Sequence, residues 1–274
     1  MYTNKEIWRV TYPIFLGLLA QNVINVTDTA FLGRVGEVAL GAAAMGGLLY
    51  ICVYTIAFGF SVGSQILIAR RNGEGRYKDV GPVMIQGGTF LLGLAVLMFG
   101  LTHLLAPSIV RLLISSDSIF DATMEFLNWR IWGFFFAFVN VMFRALYIGI
   151  TRTKVLTMNA VVMALVNVLL DYILIFGKLG FPALGVTGAA VATLFSRIIE
   201  AAVMVVYVRC VDKKLKLRFA DLLKRGGELT RDFLRYGLPI MGGQVVWSVN
   251  MLGQTMILGR YDAGVIAAVS IANM

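Results

Sequence analysis

The sequence predicts an all-α polytopic membrane protein, and its composition and apolar runs both point to that fold class. Of its 274 residues, 59% are hydrophobic and 14% are charged, whereas an ordinary soluble domain has about 45–50% and about 25%. Several apolar runs also exceed the roughly 18 residues that mark a bilayer-spanning helix. These features argue against a soluble globular domain.

Seven apolar runs, each bounded by charges or by Gly and Pro, predict seven membrane helices. They cover residues 7–32, 40–69, 80–105, 123–150, 155–177, 184–208 and 233–258. An eighth run starts near Gly264 and reaches only Met274, which is too short to cross a hydrocarbon core about 30 Å thick. We therefore expect a complete six-helix N-terminal lobe and about one and a half helices of a second lobe.

The basic residues are distributed unevenly among the gaps between these runs. Seventeen of the 24 Lys and Arg residues lie at the N-terminus or in the even-numbered gaps, and four lie in the odd-numbered gaps. Because cytoplasmic loops carry an excess of Lys and Arg, this asymmetry predicts a cytoplasmic N-terminus. Because most of the basic residues lie in these gaps, membrane topology explains the net charge of +9. No nucleic-acid partner is therefore expected.

The longest charged stretch, residues 209–231, is predicted to be a cytoplasmic linker. Four apolar residues in it have helical spacing among basic ones, namely Leu215, Phe219, Leu222 and Leu223. This pattern favours an amphipathic interfacial helix, and a solvated linker is the alternative. The linker would separate the lobe of residues 1–208 from residues 232–274, the beginning of the C-terminal lobe.

An internal repeat supports this division of the chain. A shift of 226 residues aligns the seventh predicted helix with the first, and ten of 45 aligned pairs are identical. The identities include Pro13 with Pro239, and the Leu-Gly-Arg motif that begins at Leu32 and again at Leu258. Six spans, an even number, separate the copies, so the repeat is parallel, as in transporters built from two six-helix halves. The two lobes are therefore expected to be pseudo-symmetric, and this chain ends inside the second.

Ionisable residues inside membrane helices cost roughly 2.5–3.5 kcal/mol at the helix centre, so they mark candidate functional sites. Asp28 and Asp171 lie at similar depths near the outer ends of the first and fifth helices. Gln21 and Asn25 share the helix face of Asp28, and Asn167 shares that of Asp171. If the faces meet, they form an oxygen-rich pocket that can share a proton or ligate Na⁺. The alternative is that both acids reach water or cap helix ends at the outer interface.

Other polar residues in the membrane helices have simpler interpretations. Arg197 and Glu200, spaced i and i+3, are predicted to form a structural ion pair. Asn140 lies near mid-membrane and is expected to touch the pocket, whereas Arg144 is expected to extend toward the cytoplasm. Pro13 removes a backbone hydrogen bond inside the first helix, so it is a candidate hinge.

The sequence carries no motif of a hydrolase, metalloprotease or phosphate-binding loop, and His103 is its only histidine. We therefore expect neither an enzyme nor a cofactor. The histidine is interpreted as a satisfied interfacial residue. Cys52 and Cys210 lack metal-ligand or redox spacing and are interpreted as packing residues.

Four segments together resemble the multidrug and toxic compound extrusion (MATE) transporters, and within them the bacterial and archaeal branch similar to the DNA-damage-inducible protein F. The segments are TYPIFLGLLAQNVINVTDTAFLGRVG at 11–36, FRALYIGITRTK at 143–154, NVLLDYILIFG at 167–177 and GVTGAAVATLFSR at 185–197. They occur in order and the resemblance spans the whole chain.

The resemblance implies a V-shaped twelve-helix antiporter, which expels organic, often cationic, compounds in exchange for H⁺ or Na⁺ by rocking one lobe against the other. The cation-coupling residues it implies are Asp28, Asn167, Asp171 and Thr193, of which the first three would ligate Na⁺ if that is the ion. Gln21, Asn25 and Asn140 would line the cavity. Sister branches carry a carboxylate on the seventh helix, but residues 233–258 contain none and Gln254 occupies the position equivalent to Asp28. Coupling is therefore expected in the N-terminal lobe.

The resemblance also implies the setting and the partners of the protein. We expect a multi-pass protein of a bacterial or archaeal inner membrane, monomeric when full length, whose partners are small organic substrates and the lipid bilayer. One alternative is a flippase for lipids or oligosaccharide precursors, which would be expected to line its cavity with cationic residues. A membrane fragment that does not transport is another.

Overall fold

The computed structural model describes residues 4–114, 116–212 and 227–258. Within these ranges the chain forms α-helices, one short 3-10 helix at Tyr77–Asp79, and no strand. The α-helices are α1 Asn4–Val35, α2 Glu37–Gly73, α3 Val80–Leu113, α4 Asp117–Arg130, α5 Gly133–Gly149, α6 Lys154–Phe176, α7 Gly185–Cys210 and α8 Gly227–Leu258. The predicted all-α membrane fold is confirmed.

Six spans are compatible with the lengths and compositions of the described helices. Five helices, α1, α2, α3, α6 and α7, are each long and apolar enough to cross a membrane. The bent pair of α4 and α5 passes the same test when its two helices are taken together. The number of spans predicted for the N-terminal lobe therefore agrees with the structure.

The fourth span differs from its prediction as one continuous helix over 123–150. It begins earlier, at Asp117, and is broken between Arg130 and Gly133, where the axes of α4 and α5 differ by 54°. The break lies beside α2, since a Cβ on Gly133 would be in ordinary contact with the hydroxyl oxygen of Tyr50, at 3.4 Å. The predicted run continued across residues 131 and 132, which are apolar, so the end of α4 at Arg130 was not recognised as a break.

The seventh predicted span is helical but less apolar than the other spans. It falls within α8, which is not among the helices that could cross a membrane by length and composition. Polar residues within the helix, such as Gln244, Ser248 and Asn250, lower its apolar character. The predicted amphipathic helix of the linker and the start of the eighth helix lie outside the described residues.

The core of the lobe is built around α5. Phe134, Phe138, Met142 and Leu146 lie one turn apart along one face of this helix, and each is fully buried. They belong to one apolar cluster that also contains residues of α2 and α3. Burying a side chain of this size contributes about 1.5–3 kcal/mol, so these four residues stabilise the packing of α5 with α2 and α3.

Helix α1 lies along α6, and the two helices run in the same direction. The hydroxyl of Thr153 donates to the carbonyl of Val10 at 3.1 Å, and that of Thr157 donates to the carbonyl of Pro13 at 2.7 Å. Pro13 is buried within α1 and has no N–H to donate. These two hydroxyls attach the first part of α1 to α6 beside the predicted hinge.

Helix α8 packs against α2 in the opposite direction, through small residues. A Cβ on Gly63 would lie 2.7 Å from the Cα of Gly237, and one on Gly59 would lie 2.9 Å from the Gln244 side chain. Farther along, the hydroxyls of Thr55 and Ser248 are 3.1 Å apart. We call this contact, from Thr55 to Gly63 on α2 and from Gly237 to Ser248 on α8, the α2–α8 seam.

Candidate ion and substrate site in the six-helix lobe

Asp28 of α1 and Asp171 of α6 bring their carboxyl groups together between the two helices. The groups lie within hydrogen-bonding reach of each other, and Asp171 is fully buried. Among the described residues, no donor reaches Oδ1 of Asp28 or either carboxylate oxygen of Asp171. Two ionised carboxylates this close repel each other, so the pair favours a shared proton or a bound cation. We call these two residues the acid pair.

Asn167 lies one turn before Asp171 on α6 and is also fully buried. Neither atom of its amide group has a hydrogen-bond partner in the described part of the chain. Unpaired buried amides are rare in native structures and call for an explanation. An amide oxygen next to two carboxylates forms a set of oxygen atoms that suits a hard cation.

A cation at this position would need ligands other than acidic side chains alone. In the described ranges, no group of three or more His, Cys, Asp or Glu side chains could hold a metal ion. The amide oxygen of Asn167, together with hydroxyl or backbone carbonyl oxygens, would have to complete the ligand set. The same residues can hold a proton without any further ligand.

Apolar contacts on either side fix the acid pair in place. On the N-terminal side, Ile24 packs against Met163. On the C-terminal side, the ring of Phe31 meets that of Phe176 edge to face, with 5.4 Å between centroids. Because α1 and α6 run in the same direction, Asp28 and Asp171 lie at the same level along the two helices, between these two contacts.

Helix α7 approaches α6 closely near the site. A Cβ on Gly188 would lie 2.7 Å from the carbonyl oxygen of Leu174, so only glycine permits this approach. Thr193, one of the predicted coupling residues, is buried on α7 and donates its hydroxyl to the carbonyl of Ala189 at 3.0 Å. Its role in the site stays a prediction.

The predicted ion pair between Arg197 and Glu200 forms, with 2.9 Å between Nη1 and Oε2. Asn140 donates from Nδ2 to the same Oε2 at 2.7 Å, which joins α5 to α7. The amide nitrogen of Asn140 therefore hydrogen-bonds to this ion pair, and its predicted place in the wall of the cavity stays a prediction. Its Oδ1 is buried and has no partner among the described residues.

The remaining predicted site residues differ in their exposure. Gln21 is half-buried and Asn25 is exposed on α1, so Asp28 is the member of this polar face that meets a polar side chain of α6. Gln254 is exposed on α8. The cavity-lining roles of Gln21 and Asn25 stay predictions.

Arg130 is absent from the predicted site but lies close to it. Its guanidinium lies over the ring of Tyr50 at 4.6 Å, and its charged neighbours include Asp28, Asp171 and Arg197. It is the last residue of α4, so the bend between α4 and α5 sets its position. The sequence did contain a signal for Arg130. This arginine lies in a predicted membrane helix and has no carboxylate three or four residues away that could pair with it.

The side chain of Arg144 does not extend toward the C-terminal end of α5, which is the predicted cytoplasmic side. Gly149 at the end of α5 packs against Ile68, whereas the guanidinium of Arg144 lies 5.0 Å from the ring centroid of Phe58, farther from the end of α2. A cation–π contact with this ring therefore holds the side chain inside the lobe.

The sequence model of the MatE family matches residues 13–173, more than half of the chain. This segment includes the predicted hinge and both members of the acid pair. The chain belongs to the MATE family. The match assigns the fold of α1 through α6 to a known group of membrane transporters, as the resemblance of its motifs implied.

Several relatives of this MATE chain carry the name probable multidrug resistance protein NorM. The protein from Pasteurella multocida is 26% identical over 238 residues, which are 86% of this chain and 51% of the relative. That from Halalkalibacterium halodurans is 27% identical over 266 residues, which are 94% of this chain and 57% of the relative. The MATE chain thus spans about half the length of these relatives. Membership of the branch similar to the DNA-damage-inducible protein F stays a prediction.

Solved structures confirm the MATE fold. An outward-facing multidrug resistance MATE transporter of the MOP superfamily matches with a TM-score of 0.80 and 24% identity, covering 93% of this chain and 62% of the other. A MOP superfamily transporter from Pyrococcus furiosus, described as having a binding pocket of reverse polarity, matches with a TM-score of 0.79 and 25% identity over the same shares. The chain is therefore a multi-pass membrane protein.

Proposed function

We propose that this protein is a secondary active multidrug efflux antiporter, which exports organic, often cationic, compounds in exchange for H⁺ or Na⁺ by alternating access. The observation that carries the proposal is the acid pair, three of whose four carboxylate oxygens are buried without a hydrogen-bond donor from the described residues. Such a pair favours binding a positive charge. The names of the NorM relatives support a multidrug substrate range.

Competition at the acid pair would couple the two fluxes. The same carboxylates attract both an organic cation and the coupling ion, so binding of one opposes binding of the other. A ligand shifts the equilibrium between inward and outward states only by its difference in affinity for them. One charge that crosses a potential of 100 mV contributes about 2.3 kcal/mol to this cycle, so ion entry can drive substrate release.

The residues proposed for these roles all lie in the six-helix lobe. Cation coupling is assigned to Asp28, Asn167, Asp171 and Thr193, of which the first three would supply Na⁺ ligands if Na⁺ is the coupling ion. Gln21, Asn25 and Asn140 are proposed to line the cavity, and Pro13 is the proposed hinge of α1. The described part of α8 has no carboxylate from residue 233 onward, which supports coupling in this lobe.

The setting belongs to the same proposal. The excess of basic residues at the N-terminus and in the even-numbered gaps supports a cytoplasmic N-terminus in a bacterial or archaeal inner membrane. Exchange would take place between the cytoplasm and the outside. We propose that the full-length protein acts as a monomer of two lobes.

Efflux in membrane vesicles tests this function. Ethidium transport by the full-length protein would be followed by fluorescence, with a proton gradient and a sodium gradient imposed separately. We expect transport under one of the two gradients, its loss in Asp28→Asn, and wild-type transport in the control Asp121→Asn, which changes an exposed carboxylate of α4. Full transport by Asp28→Asn would contradict the proposed coupling site.

A flippase for an acidic lipid is the second candidate, and one observation favours it. Three guanidinium groups, those of Arg130, Arg144 and Arg197, lie inside the lobe, as expected of a cavity that binds phosphate. Translocation of a fluorescent phosphatidylglycerol in proteoliposomes without an ion gradient tests this function. Lipid translocation in the absence of ethidium efflux would favour the flippase over the antiporter.

A further inference from the structure

The turn between α6 and α7 exposes large apolar side chains at its tip. Leu179 is 82% exposed and Phe181 is 54% exposed, and the charged side chain of Lys178 beside them is exposed as well. Val35 at the end of α1 is 43% exposed and borders the turn, since a Cβ on Gly185 would lie 3.7 Å from its Cγ1. Neighbouring exposed apolar side chains mark a surface that another molecule covers. We call residues 178–184 the α6–α7 turn.

The backbone of Leu179 has a conformation that leucine rarely adopts. Its φ is 56°, in the left-handed region where Gly, Asn and Asp are usual, because the Cβ of other residues crowds the backbone there. A glycine or an asparagine would relieve this crowding and would also suit contact with water. The turn instead presents the most exposed large apolar side chain among the described residues. This combination favours a contact between Leu179 and an apolar surface outside the lobe.

The α6–α7 turn pairs several of its backbone amides within the protein. The amides of Lys178 and Leu184 each donate to a carbonyl in the last turn of α6 at 2.9 Å, and that of Phe181 donates to the carbonyl of Lys178 at 3.2 Å. Pro182 has no N–H to pair. Backbone groups that enter a lipid environment must find their partners within the protein, so these bonds suit a turn that contacts lipid.

The lengths of the two helices place the turn at a membrane surface. Helix α6 has 23 residues and α7 has 26, which are about 35 Å and about 39 Å long. Both could cross a membrane by length and composition, and a hydrocarbon core is about 30 Å thick. The turn that joins them therefore lies close to the edge of that core. Tyr172 is exposed near the same end of α6, which fits the enrichment of tyrosine at membrane surfaces.

We infer that the α6–α7 turn is a membrane anchor, in which Leu179 and Phe181 insert among the lipid chains. The long side chain of Lys178 extends from the same apolar tip to the phosphate groups of the lipids. On the proposed orientation of the chain, this is the outer leaflet. Asp171 lies five residues before the last residue of α6, so the anchor holds the acid pair about 8 Å below the membrane surface. The turn thereby gives the ion site a fixed depth.

Spin labels test the anchor in the full-length protein, reconstituted into liposomes of phosphatidylethanolamine and phosphatidylglycerol. Cys52 and Cys210 would first be replaced by Ser, and Leu179→Cys would then carry a nitroxide. Electron paramagnetic resonance would measure its collisions with oxygen, which concentrates in lipid, and with a water-soluble nickel chelate. Two controls calibrate the measurement. Ser118→Cys labels an exposed position at the beginning of α4, and Val96→Cys labels an exposed position at the middle of α3.

We expect the ratio of oxygen to nickel collisions at Leu179→Cys to lie between the ratios of the two controls, because the tip is at the edge of the hydrocarbon core. Phe181→Cys should give the same result, and it replaces Leu179→Cys if that variant does not fold. A ratio as low as that of Ser118→Cys would overturn the inference, because the tip would then lie in water. Protection from both reagents would also overturn it, because protein of the second lobe would then cover the turn. Neither result depends on whether the protein transports ethidium.

Discussion

Gly63 of α2 and Gly237 of α8 meet backbone to backbone, because a Cβ on Gly63 would lie 2.7 Å from the Cα of Gly237. Small residues at such positions let membrane helices pack closely. Helix α8 is predicted to begin the second lobe, so the α2–α8 seam is a contact between the lobe and its repeat. Several properties of the protein should depend on it.

Gly63→Ala is expected to destabilise the protein by about 1–3 kcal/mol, the usual cost of overpacking, because the new methyl group meets the backbone of α8. The free energy of unfolding would be measured by titration with a denaturing detergent. Gly88→Ala in α3 is the matched control, since a Cβ there has no neighbour within 4 Å. Equal stability of the two variants would contradict the backbone contact at the seam.

Thr55→Cys combined with Ser248→Cys is expected to form a disulfide across the seam, because the two hydroxyl oxygens are 3.1 Å apart. The two native cysteines, Cys52 and Cys210, would first be replaced by Ser. If the lobes rock to transport, as proposed, oxidation should stop efflux and a reductant should restore it. Full efflux by the cross-linked protein would show that the seam need not open. Each single cysteine variant serves as the control for oxidation itself.

Arg197→Met is expected to cost about 3–5 kcal/mol of stability, because it leaves the largely buried charge of Glu200 without its counter-ion, with only the hydrogen bond from Asn140 remaining. The double variant Arg197→Met with Glu200→Met should recover most of this loss, since no charge is then left alone. A double-mutant cycle of unfolding free energies checks this. An Arg197→Met protein of normal stability that has lost efflux would instead show that the ion pair acts in transport.

Asp171→Asn is expected to leave the stability of the resting protein near neutral pH within about 1 kcal/mol of wild type. The amide can donate a hydrogen bond to Asp28, which is the bond that a proton shared by the acid pair supplies. Thermal unfolding in detergent would be compared with that of Asp121→Asn, which changes an exposed acid of α4. A lower melting temperature for Asp171→Asn would argue that a bound cation stabilises the pair.

The acid pair was predictable because each acid belongs to a face defined by helical spacing. Gln21, Asn25 and Asp28 share one face of α1 by spacing, and Asn167 and Asp171 lie one turn apart on α6. Helical periodicity therefore identified which polar groups would point toward a neighbouring helix. The membrane spans were equally predictable from the sequence, because they depend only on the length of apolar runs.

The environment of Arg130 was not predictable, because it depends on a bend that hydropathy does not report. The 54° change of direction after α4 turns one apolar run into two helices, and it determines which helix Arg130 meets. The bond from Asn140 to Glu200 joins residues 60 positions apart. Such contacts arise from the packing of α5 on α7, for which local sequence patterns carry no signal.

The hydroxyls of Thr153, just before α6, and of Thr157 in α6 donate to the carbonyls of Val10 and Pro13, so α1 would act as a lever if it bends at Pro13 as proposed. They clamp its first part, while Asp28 lies 15 residues beyond the proline, about 22 Å along the helix axis. A change of only 15° at Pro13 would move Asp28 sideways by about 6 Å. That displacement is enough to take Asp28 out of hydrogen-bonding reach of Asp171, so a small rotation at the clamp would switch the acid pair between joined and separated states.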